Sequence, residues 1–225
     1  MLGTIVNTGT ILAGSVIGSI FRKGIKEEYR EGLFTAMGLA VTGLGFNSAL
    51  QNMPKSDYPV FFIISLALGS LIGTILDLNG KFQKLSSRFA SSKLGEGLST
   101  GILLFCIGTL SILGPIQSAL YGDNTYLFTN ATLDFVTSMV LATTYGIGMA
   151  LAAVVLFAWQ GSIYVIALLL GNFMTADMMT EISIIGGFMI VGSGLSILGV
   201  KDCKTLNLLP SLLVPIIWFA ITGLF

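Results

Sequence analysis

The sequence predicts an all-α, polytopic transmembrane bundle of about eight spans, built as a single domain over residues 1–225. Three observations predict it. The chain is 54% hydrophobic and only 10% charged, against roughly 25% charged in an ordinary soluble domain. Apolar runs of about 17–25 residues recur along its length, each able to cross a hydrocarbon core about 30 Å thick at about 1.5 Å per residue. A short string also recurs far apart in the chain, in segments that the charges orient oppositely. The period-two alternation of a barrel is absent, and in lipid only helices and closed barrels satisfy their backbone.

Span 1 (3–21) ends at Arg22-Lys23, a stop at the cytoplasmic face; Met1–Gly9 carries no basic segment of the signal-peptide kind. It holds Asn7, Thr8, Thr10 and the small-xxx-small surface Gly14-Ser15-x-x-Gly18. Span 2 (33–51) presents Thr35 and Thr42 on one face, adds Asn47, and is interrupted by Gly43 and Gly45. Span 3 (59–78) repeats the small-residue surface as Gly69-Ser70-x-x-Gly73. Such faces let backbones approach, so helix packing is their first expectation.

Residues 79–97 place Phe82, Leu85 and Phe89 on one helical face with Lys81, Lys84 and Arg88 around it, which reads as an amphipathic linker lying on the cytoplasmic leaflet. Span 4 (98–120) contains Cys106, Gly114-Pro115 and Gln117. Span 5 (127–157) carries Asp134, Thr137, Ser138, Thr143 and Thr144, with Gly146 and Gly148 as interruptions. Span 6 (161–176) contributes Asn172, span 7 (182–200) the breakable Gly192 and Gly194, and span 8 (206–224) Pro215.

Lys and Arg gather in cytoplasmic loops. With eight spans, ten of the eleven basic residues fall on one side and Lys55 alone on the other, which puts both termini outside. Were span 6 re-entrant, the bias would drop to eight against three.

The repeat then acquires direction. Thr-Ala-Met-Gly-Leu-Ala-Val-Thr at 35–42 matches Thr-Ser-Met-Val-Leu-Ala-Thr-Thr at 137–144 in five of eight positions, at an offset of 102. The same offset pairs Ile64, Leu66, Leu68 and Gly69 with Ile166, Leu168, Leu170 and Gly171. Leu-Ser-Ile-Leu-Gly stands at 110–114 and again at 195–199. Spans 2–4 (about 33–120) and 5–7 (about 127–200) therefore read as a three-plus-three inverted-topology repeat, with spans 1 and 8 flanking. A parallel likeness joins 13–20 to 68–75, at an offset of 55.

Breaks at corresponding places in inverted halves point to a transporter site near the midplane; close packing with kinks is the alternative. The expected pathway is lined by Thr35, Thr42, Asp134, Thr137, Ser138, Thr144 and Asn172, between spans 2 and 5, with Gly14, Gly18, Gly69 and Gly73 as packing positions. An intramembrane carboxylate costs roughly 2.5–3.5 kcal/mol on insertion scales and is a functional hypothesis by default. Two readings of Asp134 stay open: a membrane-buried acid, or an acid in the first turns of a helix capped by Asn130. Asp77, Asp177 and Glu181 read as solvated span ends.

There is no histidine, no phosphate-binding loop and no metal-ligand spacing, and Cys106 and Cys203 form no framework. The expectation is a non-enzyme without a cofactor. Zero net charge gives no reason for a nucleic-acid partner. The expected partners are the lipid bilayer, a small ion or solute, and, from the GxxxG surfaces, a second copy in a homodimer. A non-transporting membrane scaffold is the competing reading.

The residues Gly3-Thr4-Ile5-Val6-Asn7, Gly14-x-x-x-Gly18, Gly38, Leu133-Asp134-x-x-x-Ser138-Met139, Ala152-Ala153 and Gln160-Gly161-Ser162 give the chain a resemblance to a bacterial integral-membrane family, domain of unknown function 554 (YdfK/YqgA-like). The resemblance covers nearly the whole chain and implies a bacterial cytoplasmic (inner) membrane location. It supplies no activity and no site residues.

Overall fold

Ten α-helices follow one another in a computed structural model, which describes residues 1–21, 26–88, 93–171 and 174–222. They are α1 (Leu2–Ile20), α2 (Glu27–Asn52), α3 (Phe61–Ile75), α4 (Leu78–Ser87), α5 (Lys93–Ile107), α6 (Thr109–Tyr121), α7 (Thr125–Tyr145), α8 (Gly148–Leu170), α9 (Ala176–Ile197) and α10 (Leu213–Thr222). Two 3-10 helices, Met53–Lys55 and Thr205–Leu212, lead into α3 and α10, and the described residues contain no strand. Among the described residues, five helical segments are long and apolar enough to cross a membrane. Two bent pairs, α3 with α4 at 46° and α5 with α6 at 56°, raise that to seven if each is one span.

The chain divides into two compact units: residues 1–34 with 82–171, and residues 35–81 with 172–225. In unit 1 the contact order along each helix fixes its partner's direction. Gly3 faces Leu127, Gly14 faces Ser138 and Gly18 faces Ala142, so α1 and α7 run parallel. Gly97 faces Gly148, Gly101 faces Ala152 and Gly171 faces Leu120, so α5–α6 and α8 also run parallel. Ile11, Phe105, Met149, Ala152 and Leu156 fill the space among these helices, all fully or almost fully buried. With lipid outside, what selects this arrangement is close van der Waals contact.

Unit 2 is built from antiparallel pairs. Gly38 faces Leu198 and Gly45 faces Gly187 and Val191, with the Ser48 hydroxyl donating to the Ser183 carbonyl at 3.1 Å. Gly69 faces Ser211 and Gly73 faces Asn207, so α3 runs against the 3-10 helix that opens the last span. Phe62 stacks on Phe188 with centroids 5.0 Å apart, tying α3 to α9.

Several sequence expectations are corrected. Span 5 does not reach residue 157: the chain turns at Gly146, whose φ of 68° and ψ of −157° lie in a region open essentially to glycine alone. α8 then runs unbroken through Trp159-Gln160-Gly161, across the boundary expected between span 5 (ending at 157) and span 6 (starting at 161). Gly43 and Gly45 leave α2 continuous, Gly192 and Gly194 leave α9 continuous, and Pro115 sits inside α6. The breaks fall instead at Gly108, between α5 and α6, and at Leu76–Asp77. The glycines that interrupt nothing are contact points: a Cβ at Gly45 would lie 2.6 Å from the Gly187 carbonyl oxygen, and one at Gly194 would overlap Thr42. The linker helix α4 does not float on lipid by its whole apolar face. Phe82 packs edge-on against Trp159 at 6.4 Å, and buried Ser86 donates to the Ser99 carbonyl at 2.7 Å. Leu85 stays exposed, and Phe89 lies outside the described residues.

Candidate functional site

Asp134 sits at the tenth position of α7, far from the helix start at Thr125, which follows the N-cap position Asn124. The helix-end reading is therefore overturned. Asn130 is one turn before it inside α7, and its side-chain amide donates to the Asp134 carboxylate at 2.9 Å. Both are 5% exposed. From α1, the fully buried Asn7 side chain lies within interacting reach of the same carboxylate, yet neither its oxygen nor its nitrogen makes a well-formed hydrogen bond.

Other buried polar groups lie along the same helix pair. Thr4 and Ser15 on α1 are fully buried, with hydroxyls that find no partner. Ser138 occupies the space opposite Gly14 and donates to its own helix at the Phe135 carbonyl. A buried polar group left unpaired costs about 1–3 kcal/mol, and native interiors hold few. Thr4, Asn7 and Ser15 lie on the α1 face that packs into unit 1, so a packed helix pair is carrying polar atoms that its own contacts do not satisfy.

A second polar contact lies at the broken span. The Gln160 side chain of α8, fully buried, donates to the Ser111 hydroxyl at 3.0 Å in the first turn of α6, and its Oε1 has no partner. The break at Gly108 gives α6 an N-terminus inside the apolar core, where Thr109 and Ser111 are buried. Broken helices tolerate such ends only where protein, or a cavity, surrounds them.

The sequence-predicted residues separate as follows. Asp134, Thr137, Ser138 and Thr144 belong to unit 1, and Thr35 and Thr42 to unit 2. Asp134 and Ser138 are buried, Thr137 is half-buried, and Thr144 and Thr35 are exposed. Thr42 donates to the Gly38 carbonyl at 2.8 Å. Asn172 lies outside the described residues. A Cβ at Gly14, Gly18, Gly69 or Gly73 would overlap another element of the same chain, so the surfaces that motivated a homodimer are occupied by its own helices.

Sequence reading missed Gln160, taken as part of a loop, and Glu181, taken as a solvated end. Glu181 is 1% exposed. Its signal was the spacing: five residues into a helix whose positions 178, 179 and 182 are apolar, it shares their buried side.

Comparison with known proteins places the chain. A family model described as "Protein of unknown function (DUF554)" matches residues 2–220. The chain is 58% identical over 215 residues to a protein of Bacillus subtilis (strain 168) described as an uncharacterized membrane protein, YdfK, covering 96% of this chain and 94% of that one. It is 28% identical over 227 residues to the uncharacterized protein YqgA of Escherichia coli (strain K12), covering 95% and 94%. No solved structure matches. With a family model spanning almost every residue and a membrane protein among its relatives, this chain belongs to the DUF554 family.

Proposed function

We propose that this protein is a small secondary transporter or channel, not an enzyme, that moves a small cation, or a solute coupled to a proton, through the polar core of unit 1. The observation that carries the reading is Asp134: an acid at the middle of a helix, 5% exposed, held by Asn130 and approached by an Asn7 amide with spare hydrogen-bonding capacity. A carboxylate buried in a membrane bundle and paired, among the described residues, to no cationic side chain needs a positive counterpart to be stable when ionised. A transported cation or proton supplies one.

The orientation belongs to the same proposal: eight spans, in a bacterial cytoplasmic membrane, with both termini outside. The helix-pair directions within each unit support the span count, and the ten-to-one distribution of Lys and Arg supports the sidedness. Counting α5–α6 as one span and α7 as another, the parallel pairs α1/α7 and α5–α6/α8 are spans 1 with 5 and 4 with 6. The antiparallel pairs, α2 with α9 and α3 with the 3-10 helix Thr205–Leu212 that opens the last span, are spans 2 with 7 and 3 with 8. Alternating spans require same-direction partners to differ by an even number and opposed partners by an odd one, and all four pairs obey. The inverted repeat has a compatible distribution: unit 1 takes span 4 of the first half with spans 5 and 6 of the second, and unit 2 takes spans 2 and 3 with span 7.

The test is flux in proteoliposomes, followed with a pH-sensitive dye inside the vesicles and with sodium and potassium gradients imposed in turn. Cation or proton movement that Asp134→Asn abolishes, in a variant that elutes as the parent does, is the expected result. Equal flux in parent, Asp134→Asn and empty vesicles would leave the scaffold reading, which the close packing at Gly14, Gly18, Gly69 and Gly73 favours.

A further inference from the structure

Unit 2 holds its own buried acid, which the proposal for unit 1 does not use. Glu181, in the second turn of α9, is 1% exposed. Its Oε1 accepts a hydrogen bond from the Ser56 hydroxyl, and Ser56 Oγ in turn accepts the Tyr58 backbone N–H at 3.0 Å. Oε2 is buried and has no partner. Ser56, the hydroxyl partner of Glu181, also lines a cavity of about 30 Å³ together with Met53, Tyr58, Pro59, Phe62 and Ile184; a single water needs roughly 10–15 Å³ on this measure.

The charged groups around Glu181 do not neutralise it. On α9, Asp177 acts on it with like charge. On the stretch leading to α3, the Lys55 ammonium donates to the Asn52 side chain at 3.2 Å, and Asp57 is exposed. α3, the 35–52 part of α2 and α10 carry no charged residue. No trio of His, Cys, Asp or Glu side chains converges among the described residues. The ligands available are one carboxylate, one hydroxyl and water oxygens, a set too lightly charged to favour a divalent ion over its hydration shell.

We propose that Glu181 and Ser56 form a second cation site, in unit 2, that binds a small monovalent cation: a sodium-sized ion or a proton. Ser56 is only partly buried, so the site opens toward the surface at the 56–60 loop. A bound cation neutralises the buried carboxylate, satisfies Oε2, and couples to the loop through Ser56 and the Tyr58 amide.

The site has a reporter. Tyr58 packs edge-on against Trp218 at 6.4 Å, and Phe61 lies 5.7 Å from the same ring. The chain has two tryptophans, so Trp159→Phe leaves Trp218 alone. The experiment uses the full chain with that substitution in lipid nanodiscs. Trp218 fluorescence is followed against sodium chloride, balanced with choline chloride, and separately against pH. The expected result is a saturable response that Glu181→Gln abolishes.

Ser56→Ala tells the two cations apart. A sodium site loses a ligand, so its midpoint moves about tenfold to higher concentration, the effect of losing one such interaction. A proton site loses the hydroxyl that favours the ionised carboxylate, so its midpoint moves to higher pH. No response to either cation overturns the proposal, as does an unchanged response in Glu181→Gln. If Glu181→Gln does not fold, Ser56→Ala decides, and an unmoved midpoint overturns it. Asp134 is untouched throughout, so failure here leaves the reading of unit 1 standing, and failure of flux through unit 1 leaves this one.

Discussion

At the scale of single residues, glycine is used here in two ways that look identical in a string of letters. A Cβ at Gly14 would overlap the Ser138 side chain and lie 2.5 Å from the Phe135 carbonyl, whereas one at Gly43 meets nothing within 4 Å. Gly43 lies inside α2, where alanine is favoured over glycine by about 1 kcal/mol. Gly43→Ala is therefore expected to be neutral or stabilising by up to about 1 kcal/mol, and Gly14→Leu to destabilise by several, as overpacking of a rigid contact does. Thermal unfolding in one detergent compares the two; an equal effect of both substitutions would contradict the packing described for α1 and α7. Asp134 makes the complementary point. Its burial was open in the sequence because Asn130 four residues earlier resembles a cap. The helix in fact starts at Thr125, so Asn130 is a side-chain partner rather than a helix end.

At the scale of elements, the turn between α7 and α8 depends on one backbone conformation. A Cβ at Gly146 would meet nothing within 4 Å, so the cost of Gly146→Ala is conformational and falls at about 1–3 kcal/mol. Its signature is lowered thermal stability without any change in the packing of neighbouring side chains, and full stability in that variant would exclude a positive φ at the turn. This turn also shows what could be read and what could not. The apolar runs, the GxxxG faces and the basic loops were legible, because each is a local property of length, spacing or charge. The end of span 5 was not. Gly146 and Gly148 offered one break, and the expected span boundaries fall at 157 and 161 instead. The choice rests on Gln160 finding Ser111 forty-nine positions away, a contact no local window contains. Glu181 differs: the apolar positions 178, 179 and 182 marked its buried side locally, and only its partner Ser56, 125 positions earlier, was out of reach.

At the scale of the whole molecule, the proposed orientation makes a prediction independent of transport. An alkaline phosphatase fusion after Phe225 is expected to be active and a green fluorescent protein fusion there dark, with the reverse for fusions in 79–97, whose basic residues include Lys81, Lys84 and Arg88. A fluorescent C-terminal fusion would remove one crossing, and α7, more polar than its neighbours, would be the first candidate. Unit 1 is assembled from both ends of a long stretch of chain: the Gly3 amide bonds to the Asn124 side chain, 121 positions away. Because α1 lies parallel to α7, it cannot fold back on its immediate successor to bury Thr4, Asn7 and Ser15 in the way an adjacent hairpin would. The ribosome delivers α1 first and its mate only after five more helices have left the tunnel. For that interval the polar stripe of the first helix has no partner from its own chain, and the cell's insertion machinery, or the lipid headgroups, must shelter it until α7 arrives.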